Sequence, residues 1–592
     1  MTRRIVLFFL MAAMFVPAFG QRNKKGKEAK PAATEKIVTA AKDHHFEVAK
    51  NLEVFNTIYR NLDMIYVDSL DAAETIGAGI DAMLGSLDPY TEYYPEERLQ
   101  ELKSIFTGNI YAGIGSTIHY NPVIKRVCIY EPYEGNPAHE AGLRMGDIIL
   151  SVDDESMIDK DVSYVSSHLR GEAGTSFLLK IKRPSTGKTM QMKITRRQIQ
   201  NPTIPYYGLQ PDSIGYILLS GFTENSAREV RRAFIDLKKQ GMRRLVLDLR
   251  GNGGGSEAEA VQIVNMFVPK GINVVSNRGK LKKVSRDYMT TVEPLDSVMP
   301  LVVLVNGNSA SASEITSGAL QDLDRAVILG TRTYGKGLVQ MTVDLPYNGS
   351  LKLTSNKYYI PSGRCIQAIN YKKKREERGE KDRGERREER GESGYTEHVP
   401  DSLAKVFYTR NGREVRDGGG IKPDVEVKPD SLPNIAYYLQ VSGRDSADVL
   451  YNYELDYYLS HPSIAKPRDF QLTDAEYEQF KQRVVKSGFT YDPESAKILK
   501  NLKRMAEFEG YYDDAKQEFE NLEKKLQHNL DKDLDKHKAV IKQMLESDIV
   551  ASYYYQRGSA ELSLRYDKQF LEACRLLKSP DEYAKILQPA QP

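Results

Sequence analysis

Leu301-Val302-Val303-Leu304-Val305-Asn306-Gly307-Asn308-Ser309-Ala310-Ser311-Ala312-Ser313-Glu314-Ile315 carries three local signals in succession. The first five residues are apolar without a break, which suits a strand covered on both faces. Asn306 to Ala310 are small or turn-forming. From Ser311 a helix is expected to about Gln321, followed by a strand over Ala326 to Leu329. A strand that runs through a small-residue loop into a helix places serines at a helix N-terminus. Unbonded N–H groups and the positive end of the helix dipole favour negative charge there. Such a place suits an alkoxide-like nucleophile and an oxyanion, and small neighbours admit a substrate backbone. The same residues also read as a capping box, with Ser311 capping the helix and Glu314 reaching back. The alternation Ser309, Ser311, Ser313 leaves three hydroxyls to choose from.

The α/β pattern extends upstream. Ile214 to Leu219 is an expected strand. Asn225 to Gln240 is an expected helix, with Ala227, Val230, Phe234 and Leu237 on one face and Gly241 as its stop. Leu245 to Leu249 is a second near-continuous apolar strand, and a helix is expected over Ser256 to Phe267. Between them lies the glycine-rich turn Asp248-Leu249-Arg250-Gly251-Asn252-Gly253-Gly254-Gly255. No Gly-Lys-Ser/Thr follows it, so it is not a phosphate loop. Its N–H groups could supply one donor to an oxyanion, with the Ala312 N–H as the other; a purely structural turn fits as well.

Downstream, Thr333-Tyr334-Gly335-Lys336-Gly337-Leu338-Val339-Gln340 places Lys336 25 residues after Ser311. The flanking glycines allow close backbone approach. If the segment is extended, Lys336 and Gln340 point to the same face. A lysine serves as general base toward a serine only when desolvation lowers its pKa. A glutamine partner orients the amine without stabilising its charge, as a carboxylate would. Without that context Lys336 is an ordinary exposed strand lysine.

The chain has 592 residues, enough for about three to five folding units. Hydrophobic residues make up 40% and charged residues 28%, in the range of a chain with sizeable cores. A formal charge of +3 gives no support to a nucleic-acid partner. Cys128, Cys365 and Cys574 are too scattered for a disulfide framework. The nine histidines contain no HExxH pair. Neither a metal nor an organic cofactor is expected.

Thr2-Arg3-Arg4, the apolar run from Ile5 to Phe19 and the small Ala18 and Gly20 read as a signal peptide over 1–20, cleaved near Gly20. The chain is then expected to be exported, most simply to a periplasm. Residues 21–44 read as a linker. Residues 45–105 read as helical, with Ile76, Ile80, Met83, Leu84 and Leu87 on one face until Asp88-Pro89. Residues 106–198 read as short strands punctuated by glycine. There Pro137-Ala138-His139-Glu140-Ala141-Gly142-Leu143-Arg144-Met145-Gly146-Asp147-Ile148-Ile149 resembles the PDZ signature, and Tyr111-Ala112-Gly113-Ile114-Gly115 its carboxylate loop. Successive N–H groups of Gly113, Ile114 and Gly115 can hold a peptide's terminal carboxylate while a strand edge pairs with its backbone. Residues 203–430 form the α/β region. Within it, 372–392 holds 18 charged residues of 21, ten positive and eight negative, and reads as a solvated loop or exposed helix. Residues 431–592 read as a helical region that serves packing, dimerisation or gating.

Together these motifs resemble the C-terminal processing peptidases, or tail-specific proteases, which are serine proteases with a Ser/Lys dyad. The likeness runs from about 45 to 430. It rests on Ser86-Leu87-Asp88-Pro89, the PDZ stretch, Asp248-Leu249-Arg250, the Ser309 to Glu314 run, Gln321-Asp322, the Thr333 to Gln340 run, and Tyr358 to Arg364 with Gly420 to Val425. It implies a multi-domain α/β protein with a crotonase-like core and an inserted PDZ domain. By the same resemblance Ser311 is the nucleophile, Lys336 the base, Gln340 its orienter, Gly254 and Ala312 the oxyanion donors, and Asp322 a structural support near the site. The implied partners are proteins or peptides with free C-termini; peripheral membrane association and homo-oligomer formation stay open. The chain departs from the family in two places. Asn252-Gly253-Gly254-Gly255 stands where members often have Asn-Pro-Gly-Gly, and Asp88-Pro89-Tyr90 where they have Asp-Pro-His. Two other readings compete. A non-catalytic PDZ-containing scaffold has no use for both Ser311 and Lys336, and in a Ser/His/Asp hydrolase nothing marks His398 as a base.

Overall fold

The computed structural model describes residues 34–102, 111–199, 202–368, 401–441, 448–491, 494–526 and 529–589. The expected signal peptide and the charged run 372–392 lie outside them. Two compact units are distinguished, residues 1–80 and 81–592. The first contains the helix Thr34–Ile65. That helix begins inside the stretch expected to be a linker, because Ala40, Ala41, Glu35, Lys36 and Lys42 are strong helix formers once Pro31 is passed.

The helix Ala72–Gly85 stops before Asp88-Pro89 as its sequence predicts, burying Leu84. The expected helical stretch then departs from helix: Glu92–Tyr94 is a strand, paired with Ser350–Tyr359.

The PDZ region folds as a sheet in the order Ser116–Asn121, Arg126–Pro132, Ile148–Val152, Ser176–Lys182, Thr189–Thr195. Strict alternation in Ser176–Lys182 sends Phe177, Leu179 and Ile181 inward against Val127, Ile129 and Ile149. The helix Val162–Leu169, capped by the Asp161 side chain, packs beside Ser116–Asn121. Among the described residues Ser116–Asn121 pairs on one side only, so its other edge has no strand partner there.

The central sheet has six strands: β1 (Tyr206–Gln210), β2 (Ile214–Leu218), β3 (Arg244–Asp248), β4 (Leu301–Val305), β5 (Val327–Gly330) and β6 (Val425–Glu426). The β1–β2 pair is antiparallel and the rest are parallel. Three helices follow the strands: α1 (Ser226–Lys239) after β2, α2 (Glu257–Asn265) after β3 and α3 (Ala312–Asp322) after β4. Alternate side chains divide the sheet. Leu245, Leu247, Leu301, Val303 and Ile328 face the helices, with Val230, Phe234, Ile263 and Ile315 among their partners. Val246, Val302, Leu304, Val327 and Leu329 face the other way. Phe570, Ala573, Leu576 and Leu577 of the helix Lys568–Leu577 cover that second face. Packing is therefore one role of the C-terminal region, and it explains why these strands are apolar throughout. A second sheet, Glu92–Tyr94, Ser350–Tyr359, Asn273–Gly279 and Arg286–Met289, with Leu338–Asp344 on its long strand, is polar enough that the sequence does not announce it.

Candidate active site

In a parallel sheet, neighbouring strands deliver their outgoing loops to the same edge. β3, β4 and β5 are adjacent, so the Asp248 to Gly255 turn, the Asn306 to Ser311 loop and the Gly330 to Lys336 loop converge there. Cross-bonds fix them to one another. Gly251 N–H donates to Asn306 Oδ1 at 3.0 Å, Ala310 N–H to the Asn252 carbonyl at 3.0 Å, and Tyr334 N–H to the Ser309 carbonyl at 3.1 Å.

This convergence separates the three serines. Ser309 Oγ donates to the Leu249 carbonyl at 2.8 Å and accepts from Asn306 N–H, and Ser313 Oγ donates to the Asn252 carbonyl at 2.8 Å. Both are fully buried. Ser311 alone is half-exposed, and its hydroxyl donates no hydrogen bond among the described residues. Its backbone sits at φ 57°, ψ −114°, a conformation that L side chains rarely adopt and that costs of order 1–3 kcal/mol. The Ala312 N–H beside it likewise has no partner among the described residues.

Gly254 lies directly against this turn. Its φ is +99°, and a Cβ there would fall 2.6 Å from the Ala310 oxygen and 2.8 Å from Ser311 Cβ, so only glycine fits. Its own N–H donates to Asn252 Oδ1 at 2.9 Å. Of the two expected oxyanion donors, Ala312 is therefore open and Gly254 is turned to its own loop.

Glu314 joins the serine turn to the lysine loop. It is completely buried, and its carboxylate accepts four hydrogen bonds. Oε2 takes Ser311 N–H and Lys336 N–H, both at 2.9 Å, while Oε1 takes Gly335 N–H at 2.7 Å and the Thr333 hydroxyl at 2.6 Å. Burial raises its pKa to about 7 against the pull of these donors. The capping-box reading of Ser311 and Glu314 anticipates one of the four bonds. The other three come from residues 19 to 22 positions away and carry no local sequence signal. Tyr358 makes a second bridge, donating to the Lys336 carbonyl at 2.6 Å and lying 3.3 Å from the Ser311 carbonyl. Burial holds its phenol well above the usual value, so it stays a donor.

The glycines around Lys336 serve close approach. A Cβ on Gly335 would lie 2.4 Å from Ala368 Cβ, and one on Gly337 would lie 2.7 Å from the Gln367 nitrogen. Lys336 precedes the strand Leu338–Asp344, outside the pairing that an extended run to Gln340 requires. Its amine lies 4.6 Å over the Tyr90 ring. Burial lowers its pKa below the lysine value; Lys352 acts in the same direction, and Glu314 and Asp88 oppose. Gln340 Nε2 donates to Thr354 Oγ1 at 3.2 Å. Ser311 and Lys336 thus lie on loops that meet at one edge of the central sheet, while Gln340 lies on a strand of the second sheet, and the three side chains share no hydrogen bond among the described residues.

Asp322 stands at the opposite end of α3 from Ser311. It accepts from buried Arg364 at 2.7 Å and from Ser362 N–H at 3.0 Å, fixing the turn after the long strand of the second sheet. Arg250, of the Asp248-Leu249-Arg250 stretch, binds Asp248, Asp567 and Gln569, tying the glycine turn to the C-terminal helix. In the PDZ region Gly113 belongs to the strand Tyr111–Gly113, paired with Arg197–Ile199, while the Ile114 and Gly115 N–H groups have no partner among the described residues.

The sequence is similar to those of known proteins. Sequence profiles match for Peptidase family S41 over residues 213–373, a PDZ domain over 129–183, and the probable PDZ-protease C-terminal helical domain over 435–577. A carboxy-terminal-processing protease of Bartonella bacilliformis is 35% identical over 325 residues, covering 54% of this chain and 73% of that protein. A probable CtpA-like serine protease of Staphylococcus haemolyticus is 33% identical over 338 residues, covering 56% and 65%. Among solved structures, a photosystem II D1 C-terminal processing protease aligns at 29% identity and TM-score 0.34, covering 64% and 88%. The chain belongs to the carboxy-terminal-processing proteases of peptidase family S41, serine endopeptidases that here carry a PDZ domain and a C-terminal helical domain.

Proposed function

We propose that this protease is exported and cuts proteins at or near their C-terminal tails, with Ser311 as nucleophile, Lys336 as general base and Gln340 as the group that orients the amine. The observation that carries this assignment is the separation of the serines: the Ser309 and Ser313 hydroxyls donate to structural carbonyls, while the Ser311 hydroxyl donates to no described residue and lies beside an open N–H. Glu314 holds the Lys336 backbone at the same turn.

In the reaction, the neutral Lys336 amine takes the Ser311 proton as Oγ bonds to the scissile carbonyl carbon. The carbonyl oxygen, now negative, is held by the Ala312 N–H, and by the Gly254 N–H once it exchanges its bond to Asn252. The C–N bond breaks as the Lys336 ammonium protonates the leaving amine. Water then hydrolyses the ester, with Lys336 again as base. For this sequence Lys336 leaves the Tyr90 ring and Gln340 turns from Thr354. Ile114 and Gly115 receive the tail carboxylate, and the open edge of Ser116–Asn121 pairs with the tail backbone. The core is related to the crotonase spiral. Residues 1–20 direct export and are removed near Gly20, leaving the enzyme in a periplasm.

The test is incubation with an unfolded protein bearing a free or an amidated C-terminus, with fragments mapped by mass. Wild type is expected to release fragments near the free tail, at least about tenfold faster than from the amidated one, the cost of a lost charge-assisted carboxylate contact. Ser311→Ala is expected to release none. Equal cleavage of both substrates would remove tail recognition from the account.

A further inference from the structure

The Lys336 amine has no hydrogen bond or ion pair among the described residues; what it meets is the face of Tyr90, 4.6 Å away. Tyr90 is held there by a built turn. Asp88 Oδ1 accepts Tyr90 N–H at 2.8 Å and Thr91 N–H at 2.9 Å, and Asp88 Oδ2 accepts the Thr91 hydroxyl at 3.1 Å. The buried Thr91 hydroxyl in turn accepts Thr354 N–H at 3.2 Å. Thr354 is the residue whose hydroxyl occupies Gln340. The ring under Lys336 and the partner of Gln340 thus belong to one hydrogen-bonded unit, formed where Glu92–Tyr94 joins the second sheet.

An aromatic face attracts an ammonium and has little to offer a neutral amine. Lys352, Glu314, Asp88 and Tyr90 are the groups that face this amine, and of these the ring is the one in direct contact. We propose that Tyr90 is a positioning residue that holds Lys336 in its protonated form out of hydrogen-bond contact with Ser311, so that proton loss releases the amine from the ring to the serine. The proposal rests on Lys336 being the base. It assigns a function to the tyrosine of Asp88-Pro89-Tyr90: a hold on the lysine at rest, removed as the amine becomes competent.

Wild type, Tyr90→Phe, Tyr90→Leu and Lys336→Met are compared in two measurements, with thermal unfolding as the control for folding and Tyr90→Met as a second ring-free variant should Tyr90→Leu not fold. The first is kcat/KM for peptide cleavage from pH 5 to 10. The second is pulse labelling of Lys336 with acetic anhydride across the same range in a Ser311→Ala background, read by peptide mass, which follows the amine without catalysis. Tyr90→Phe is expected to match wild type in both. Tyr90→Leu keeps apolar bulk without the π face, so its labelling midpoint and the rising limb of its rate profile are expected about one pH unit lower, with a several-fold higher rate below the limb. A tyrosine with only a structural role would lower the rate at every pH and leave the midpoint in place. An unmoved or higher midpoint in Tyr90→Leu, with Lys336→Met inactive, overturns the clamp alone. Retained activity in Lys336→Met overturns the base assignment and the clamp with it.

Discussion

Ser311→Gly is expected to lose peptide hydrolysis by at least about 10⁴-fold while becoming more stable than wild type by about 1 kcal/mol. The two effects have one origin. In the proposed mechanism the hydroxyl is the nucleophile, and the backbone beneath it is held at φ 57°, ψ −114°, where glycine is at ease and serine is not. Ser311→Ala removes the hydroxyl and leaves the strain, so it is expected to be equally inactive without the gain in stability. Urea unfolding beside a peptide assay separates the variants. A destabilised Ser311→Gly would mean that the turn is not strained.

Glu314→Gln is expected to lower kcat/KM by about 10²-fold or more and stability by about 2–4 kcal/mol. Four donors converge on the carboxylate. A glutamine offers one oxygen in place of two and turns an NH₂ group toward N–H groups that need an acceptor. The tie between the Ser311 turn and the Lys336 loop is then broken in the interior, where no water replaces it. The pH dependence checks the same residue. The Glu314 pKa is raised by burial from 4.5 to about 7, so its contribution to stability is full below pH 4.5 and is lost as pH rises through about 7. Unfolding measured at pH 5 and pH 8 should show this decline in wild type and its absence in Glu314→Gln. The same decline in both would place the titration elsewhere.

The parts of this molecule legible in its sequence are those set by local pattern. Leu301–Val305 and Arg244–Asp248 are readable because an unbroken apolar run has few other places to go, and α1 because Val230, Phe234 and Leu237 recur at helical spacing. The serine-bearing helix start is readable from small residues after a strand. The choice among Ser309, Ser311 and Ser313 is not, because the bonds that consume two of them reach Leu249 and Asn252, about sixty residues earlier. Lys336 and Gln340 illustrate the same limit. Their spacing promises one face of an extended segment, but close contact with Gln367 and Ala368 holds Lys336 ahead of the strand. The face of Lys568–Leu577 that packs is visible as Phe570, Ala573, Leu576 and Leu577. What it covers depends on strands more than 200 residues away.

In the proposed mechanism the Lys336 amine activates the Ser311 hydroxyl. The most direct measurement is labelling with a small fluorophosphonate, which reacts with an activated serine and needs no tail recognition, followed by peptide mass mapping of wild type and Lys336→Met. A single adduct on Ser311 is expected in wild type, and its loss in Lys336→Met at unchanged unfolding temperature. An adduct on another serine, or one on Ser311 that persists at the wild-type rate without the lysine, would contradict it.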